Sequence, residues 1–401
     1  MPKAYTRSRL SACAKSAGSA ALVLFCLTSA AFAESGAATT ATPTQVPFRL
    51  QTGHAYIDVE INGKGPFHFI FDTGAVNVMT PATAKRLGLE LKDNLEAKGT
   101  GGSQNGWTTK VHAIGLGGLT RTDQVFYVLD LPSTAADGVQ VDGLIGYEWL
   151  KQFPVKFDFD ANTLTIYANA NPVFSAAGRA APITFKGKTP QIDGNVDGFA
   201  GRFTLDTGSA GSLTLSKSFV EKNDLATYYH AKTMVMSAIG VGGPVFSLMA
   251  RAGKLDLGSV SVDRPVTFLS QQTKGTSTDH DLAGNIGFGI LHRFNIVLDY
   301  PHSKIYFQPN AHWAEPDLAD RSGLRIDAGD GSFTVVYVAE NSPGSLAGVQ
   351  AGDQIVSVNG SASNTMSLAD LRLLLKGDIG TKVSFKLDRD GKTIVLELKD
   401  L

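Results

Sequence analysis

Apolar and polar residues alternate through "YIDVEINGKGPFHFIFDTG" (56–74) and again through "QIDGNVDGFAGRFTLDTG" (191–208). A period of two marks a strand with one face turned to a core, and the Gly-containing break inside each stretch reads as a tight turn. Each stretch therefore predicts strand, turn and strand, ending at Asp-Thr-Gly. Phe67, Phe69 and Phe71 line one face of the first, Phe203 and Leu205 that of the second. The likeness continues downstream, where "DGLIGYEWLKQFPVKFDF" (142–159) matches "AGNIGFGILHRFNIVLDY" (283–300) at an offset of 141. Asp72 and Asp206 pair at an offset of 134, so the second half carries a seven-residue insertion between the blocks. A chain that repeats itself over this length is built from two homologous units.

Beyond about residue 320 the pattern changes. Phe333 to Val338 and Gln354 to Val358 read as strands, Ser342-Pro343 opens a turn with a short helical patch, and "SLADLRLLLKG" (367–377) is an amphipathic helix with a Gly stop. "KVSFKLDRDGKTIVLEL" is a hairpin about Asp390-Gly391. This predicts a separate small α+β domain at 320–401.

The first 33 residues form a different class of segment. Lys3, Arg7, Arg9 and Lys15 precede the apolar run "SAALVLFCLTSA", and "AFA" precedes Glu34, the layout of a secretory leader cleaved after Ala33. Export to the periplasm or beyond is the expectation. Both cysteines, Cys13 and Cys26, lie in the leader, so the exported chain holds itself by core burial without a disulfide. Removing the four leader cations takes the net charge from −1 to −5. No basic block points to nucleic acid, and no later apolar stretch is long enough to span a membrane. No H-E-x-x-H occurs and no pair of the eight His has metal-ligand spacing, so neither a metal nor another cofactor is expected. The expected layout is leader 1–33, flexible tether 34–45, first lobe 46–168, connection 169–182, second lobe 183–312 and the C-terminal domain 320–401.

One Asp-Thr-Gly is ordinary turn chemistry. Two copies in homologous units are different, because units packed about a pseudo-two-fold axis bring Asp72 and Asp206 face to face. Two such carboxylates share one proton: one then accepts a proton from water while the other donates to a carbonyl oxygen. Gly74 and Gly208 let backbone approach a carboxylate, and Thr73 and Thr207 offer hydroxyls to brace the loops across the axis. Ser209 can hydrogen-bond its aspartate whereas Ala75 cannot, which predicts an asymmetric pair.

The duplicated D-T-G-[AS] motif, each copy followed by "LIG" or "NIG", resembles the pepsin and retropepsin clan of aspartic proteases over roughly residues 46–310. Asn285 stands where that family has its first apolar residue. The C-terminal stretch "NSPGSLAGVQAGDQIVSVNG" resembles a PDZ domain in its permuted bacterial form. The resemblance implies a mainly β fold, with two retropepsin-like β-barrel lobes in a bilobal acid-protease arrangement and a small α+β PDZ domain. It implies an aspartic endopeptidase with Asp72 and Asp206 as the catalytic pair, and Thr73, Gly74, Thr207, Gly208 and Ser209 as loop support. Hairpins at 98–111 and 236–249 take the place of substrate flaps, with Trp107 as a flap candidate. Gly323 and Leu324 fall where PDZ domains bind a peptide carboxylate, in a groove between the strand at Leu324 and helix 367–375. The implied partners are a peptide or unfolded substrate and a protein C-terminus in that groove, and the implied state is a monomer with pseudo-two-fold lobes. The alternative is a periplasmic peptide- or protein-binding module that keeps the fold without the chemistry.

Overall fold

The computed structural model describes residues 42–168, 174, 178 and 180–401. The expected leader, residues 34–41 of the tether and most of the connection at 169–182 lie outside the described residues.

Strand His54–Ile61 turns at Asn62-Gly63 and pairs back along Lys64–Phe71, with Val59 opposite Phe67 and Ile57 opposite Phe69. The second half does the same with Thr189–Val196 and Phe199–Leu205, placing Ile192 opposite Phe203. The strands beside these hairpins are matched too. Lys64–Phe71 runs parallel to Gly143–Ile145, which is antiparallel to Val78–Met79, itself parallel to Leu119–Val128. Phe199–Leu205 runs parallel to Gly284–Ile286, which is antiparallel to Leu213–Leu215, itself parallel to Val266–Ser270. The two motifs sit in an eight-stranded and a ten-stranded sheet.

Phe67, Phe69 and Phe71 are buried on one face as the alternation requires. Ile70, on the opposite face, is buried as well, packed with Tyr56 and Val141. A strand inside a sheet covered on both sides has no face left for water.

The halves are fused through a third sheet of six strands drawn from both. Val155–Asp158 and Phe294–Asp299 pair at its centre, with Phe157 opposite Ile296. Phe159 meets Phe288 edge-on across the same seam, with ring centroids 5.6 Å apart. One continuous apolar core therefore runs through both halves. The borders of that sheet correct two expectations. Thr44 and Gln45, expected in the tether, pair with Ile166 and Thr165, and Val46 is buried beside them. Ala180–Pro182, expected in the connection, pairs with Lys304–Tyr306. Both short strands cap edges that would otherwise expose unpaired backbone.

The C-terminal unit has a core of its own. Its sheet runs Leu324–Ala328, Phe333–Val338, Gln354–Val358, Lys382–Leu387, Thr393–Glu397, with Ser361–Ala362 beside Gln354–Val358. Helix Leu368–Leu374 begins with a capping box between Ser367 and Asp370. Strand Leu324–Ala328 is the sheet's edge, and the helix packs beside it. Among the described residues no helix is long and apolar enough to cross a membrane.

Candidate active site

Each Asp-Thr-Gly leaves the end of its central strand and is tied to the short strand alongside. The Asp72 N–H donates to the Ile145 carbonyl (2.8 Å) and the Asp206 N–H to the Ile286 carbonyl (2.9 Å). This is the work of the "LIG" and "NIG" segments: they fix where each aspartate begins its turn. Each loop then folds back on its own carboxylate. The Gly74 N–H donates to Asp72 Oδ1 (2.8 Å) and the Gly208 N–H to Asp206 Oδ1 (2.9 Å).

The loops meet. The Asp72 and Asp206 carboxylates lie within interaction range of one another. Gly74 lies against the Asp206 carboxylate and Gly208 against that of Asp72, so a Cβ on either glycine would overlap the opposite acid. The threonines interlock. The Thr73 N–H donates to Thr207 Oγ1 (3.1 Å) and the Thr207 N–H to Thr73 Oγ1 (3.0 Å). In turn Thr73 Oγ1 donates to the Leu205 carbonyl and Thr207 Oγ1 to that of Phe71, both at 2.8 Å. Both threonines are buried.

Burial and the adjacent Asp206 carboxylate push Asp72 well above the ordinary carboxylate range. Burial also raises Asp206, but bonds from Asn285 and the Gly208 N–H hold it back. Two neighbours frame the pair. The buried His54 donates from Nε2 to the Gly208 carbonyl (3.1 Å), and burial lowers its pKa. The buried Tyr300 hydroxyl donates to the Thr73 carbonyl (3.3 Å).

Residues 57–149, which hold Asp72, match the family model for aspartyl proteases, and residues 334–389 match the model for PDZ domains. The chain carries an aspartyl protease domain and a PDZ domain. It is 31% identical over 97 residues to the carboxy-terminal processing protease CtpA of Bacillus subtilis (strain 168), a stretch covering 23% of this chain and 21% of that protein. The chain thus spans about a fifth of the length of the curated relative it matches. The aspartyl protease match ends before the second half, so Asp206 rests on the internal repeat and on its contact with Asp72.

The asymmetry of the pair has a different source from the one expected. Among the described residues Ser209 Oγ makes no hydrogen bond to Asp206; it is turned toward Gly287. Asn285 supplies the difference instead, donating from Nδ2 to Asp206 Oδ2 at 3.1 Å. Leu144 fills the matching place in the first half and has nothing to donate. The departure of "NIG" from the apolar pattern was the sequence signal for this contact. His54 and Tyr300 gave no such signal, because each reaches the loops from a distant strand or turn.

The two glycine-rich hairpins, one from each half, touch at their tips. The Gly101 N–H donates to the Val241 carbonyl at 3.1 Å, and Gly240 lies against Thr100. Trp107 is not at the tip. It lies along strand Ser103–Leu116 opposite Val128 and is left exposed, so it does not cover the lobe core.

In the PDZ domain the amides expected to receive a carboxylate are already engaged. The Ser322 and Gly323 N–H groups donate to Asp320 Oδ1, and the Leu324 N–H donates to Ser322 Oγ. The groove itself faces the protease domain. Arg372, on the groove helix, donates to Asp137 Oδ1 at 2.7 Å and to the Ile326 carbonyl at 3.1 Å. Arg325 lies 3.6 Å from the same carboxylate, and Gly138 lies against Ala328. On the other side Tyr337 donates to the Met234 carbonyl and packs on Phe246.

His292, His312 and Glu315 bring ligand-capable atoms within 4.8 Å of one another, a grouping that sequence spacing did not reveal. His292 Nδ1 is bonded to the Phe288 carbonyl and His312 Nδ1 to Glu315 Oε1. Asp158 and Asp299, at matched positions, cap turns: Asp158 accepts from the Ala161 N–H and Asp299 from the His302 N–H.

Proposed function

We propose that the protein is an exported aspartic endopeptidase whose two halves are retropepsin-like lobes and whose dyad is Asp72 and Asp206. The observation that carries this reading is the close approach of Asp72, buried, and Asp206, half-buried, at the tips of matched loops, each packed against the glycine of the other loop, with their threonines interlocked. The pair holds one proton between two carboxylates. The ionised member takes a proton from water as the water oxygen bonds to the scissile carbonyl carbon. The protonated member donates to the carbonyl oxygen. Collapse of the tetrahedral adduct breaks the C–N bond: the leaving amine takes a proton from the dyad while a hydroxyl of the adduct returns one to it. The glycine-rich hairpins would part to admit an extended chain and close over it.

The substrate class is a peptide or unfolded protein, and the active unit is a single chain. The PDZ domain acts as a regulator rather than an open capture site, a reading favoured by Asp137 seated against Arg325 and Arg372. Export and removal of the leader belong to the same proposal.

The test is peptide-library cleavage read by mass spectrometry, from about pH 3 to 8, the range over which paired carboxylates share a proton. Residues 34–401 are compared with the Asp72→Asn and Asp206→Asn variants. Cuts made by the parent and by neither variant support the dyad. Cleavage that survives both substitutions refutes it. Folded protein that binds peptides at every pH and cuts none makes the chain a binding module instead.

A further inference from the structure

We infer that Asn285 is a positioning residue that assigns unequal roles to the dyad: its amide holds Asp206 as the ionised base and leaves the shared proton on Asp72, the acid. This rests on the aspartic endopeptidase reading and goes beyond it.

The argument begins with register. Asn285 sits in strand Gly284–Ile286, opposite Thr204 on the strand Phe199–Leu205 that leads into Asp206 and opposite Thr214 on its other side. The corresponding residue of the first half, Leu144, sits between Ile70 and Val78. The backbone frame is therefore the same, and only the side chain differs. Asn285 Oδ1 accepts a hydrogen bond from the Thr204 hydroxyl. An amide whose oxygen is engaged in this way presents its NH₂ in the other direction, and Nδ2 lies 3.1 Å from Asp206 Oδ2. A carboxylate oxygen facing an N–H donor is best satisfied when ionised.

Asp206 thus has two donors, the Gly208 N–H on Oδ1 and Asn285 on Oδ2. Asp72 receives the N–H groups of Gly74 and Ala75 in its own loop but has no side-chain amide to match Asn285. Of the remaining ionisable groups, His54 when charged also favours an ionised Asp206, by less than Asn285 does. His54, from strand His54–Ile61, points Nε2–H at the Gly208 carbonyl, and burial favours its neutral form. Tyr300, from the turn after Phe294–Asp299, donates to the Thr73 carbonyl, and its hydroxyl is held protonated by burial. The Asp137 carboxylate lies near enough to His54 for its charge to oppose the effect of burial there.

The consequence is directional. A water held between the carboxylates gives its proton to Asp206, and the carbonyl oxygen is protonated by Asp72. Asn285→Leu restores the residue type of the first half and removes the donor, while Thr204→Val leaves the amide in place and removes what aims it.

The experiment is the pH dependence of kcat/KM for one cleaved peptide, measured for the parent, Asn285→Leu, Asn285→Ser, Thr204→Val and Asp206→Asn. Melting curves at each pH verify folding. A lost hydrogen bond to a charged group moves the acid limb of Asn285→Leu upward by about one pH unit or more. Thr204→Val shifts it in the same direction by less. Asn285→Ser, whose hydroxyl is again a donor, returns part of the shift. Activity that survives Asp206→Asn overturns the endopeptidase reading itself. Loss in Asp206→Asn, together with an Asn285→Leu acid limb that is unmoved or lowered, overturns this inference alone. A lowered limb is the signature of an amide oxygen facing a protonated Asp206.

Discussion

Thr73→Val and Thr207→Val test whether the interlocked threonines hold the two halves in register. Valine keeps the branched shape but removes the hydroxyl. Thr73→Val strands the Thr207 N–H, which donates to that hydroxyl, and the Leu205 carbonyl, which accepts from it. Thr207→Val strands the Thr73 N–H and the Phe71 carbonyl. Both side chains are buried, so water does not replace the lost partners. Each orphaned buried group costs about 1–3 kcal/mol, so each variant loses about 2–5 kcal/mol once the gain from burying a methyl is set against it. Thr→Ser keeps the hydroxyl and loses under about 1.5 kcal/mol for the missing methyl.

The assay is urea unfolding followed by tryptophan fluorescence, with the Ser variants as controls. For a chain of this length the slope is about 3 kcal/mol per molar, so the Val variants should unfold about 0.7–1.7 M earlier. The double Val variant should lose less than the sum, because a loop freed by the first change no longer holds its partner in place. Val variants that unfold with the Ser variants would refute the claim that these hydroxyls carry the contact.

Three other outcomes arise from the same geometry. Asp72, raised by burial and by Asp206, binds its proton more tightly when folded than when unfolded. Stability linked to it is complete below the ordinary carboxylate range and is lost as pH rises toward the raised value, by at most about 1.4 kcal/mol per pH unit for one proton. Asp72→Asn should therefore melt at a higher temperature than the parent at neutral pH and converge with it near pH 3, the ordinary acidic range of a carboxyl; parallel curves across that range would contradict this. Asp137→Ala removes the carboxylate shared by Arg372 and Arg325, a contact worth about 1–3 kcal/mol at this partial exposure, and should speed protease nicking in the 313–323 segment without altering the melting of the isolated PDZ core. Cleavage of short peptides should rise in the same variant if the docked PDZ domain restrains the enzyme, and should stay level if it does not. Gly208→Ala places a Cβ into the Asp72 carboxylate and should abolish cleavage, whereas Ser209→Ala, whose hydroxyl makes no bond to Asp206, should leave the pH profile unchanged.

Much of the fold and of the candidate site is legible in the sequence because the signals are local or repeated. Alternation places Lys64–Phe71 and Phe199–Leu205 as strands, and the 141-residue offset shows that two strand-rich halves share one plan. The Asp-Thr-Gly copies name the residues that meet. The misses are all non-local. Thr44–Pro47 and Ala180–Pro182 have compositions suited to a tether, and only the exposed edges of a sheet shared by both halves recruit them as strands. Ser209 is the natural candidate to bond Asp206 because it follows the motif directly. Backbone geometry turns it toward Gly287, and the donor arrives instead from Asn285. His54 opens a strand and Tyr300 a turn, and nothing in their neighbourhoods along the chain announces that they will touch the loops.

The same distinction bears on how the PDZ domain and the dyad can influence each other. Asp137 follows a short helix, Pro132–Ala136, in the first half, and its carboxylate is nearly buried between two arginines of another domain. Its charge also acts on His54, whose Nε2 holds the carbonyl of the glycine packed against Asp72. A ligand that pulled Arg325 and Arg372 away would leave Asp137 without its cations and raise the cost of keeping it buried. The carboxylate would then move toward solvent, and its field at His54 would fall. Asp137 thus stands between the two arginines of the groove and His54, which holds the Gly208 carbonyl. Coupling through it requires that peptide binding and Asp137 compete for the same arginines. That competition is what the Asp137→Ala variant isolates, since it removes the internal ligand while leaving both arginines in place.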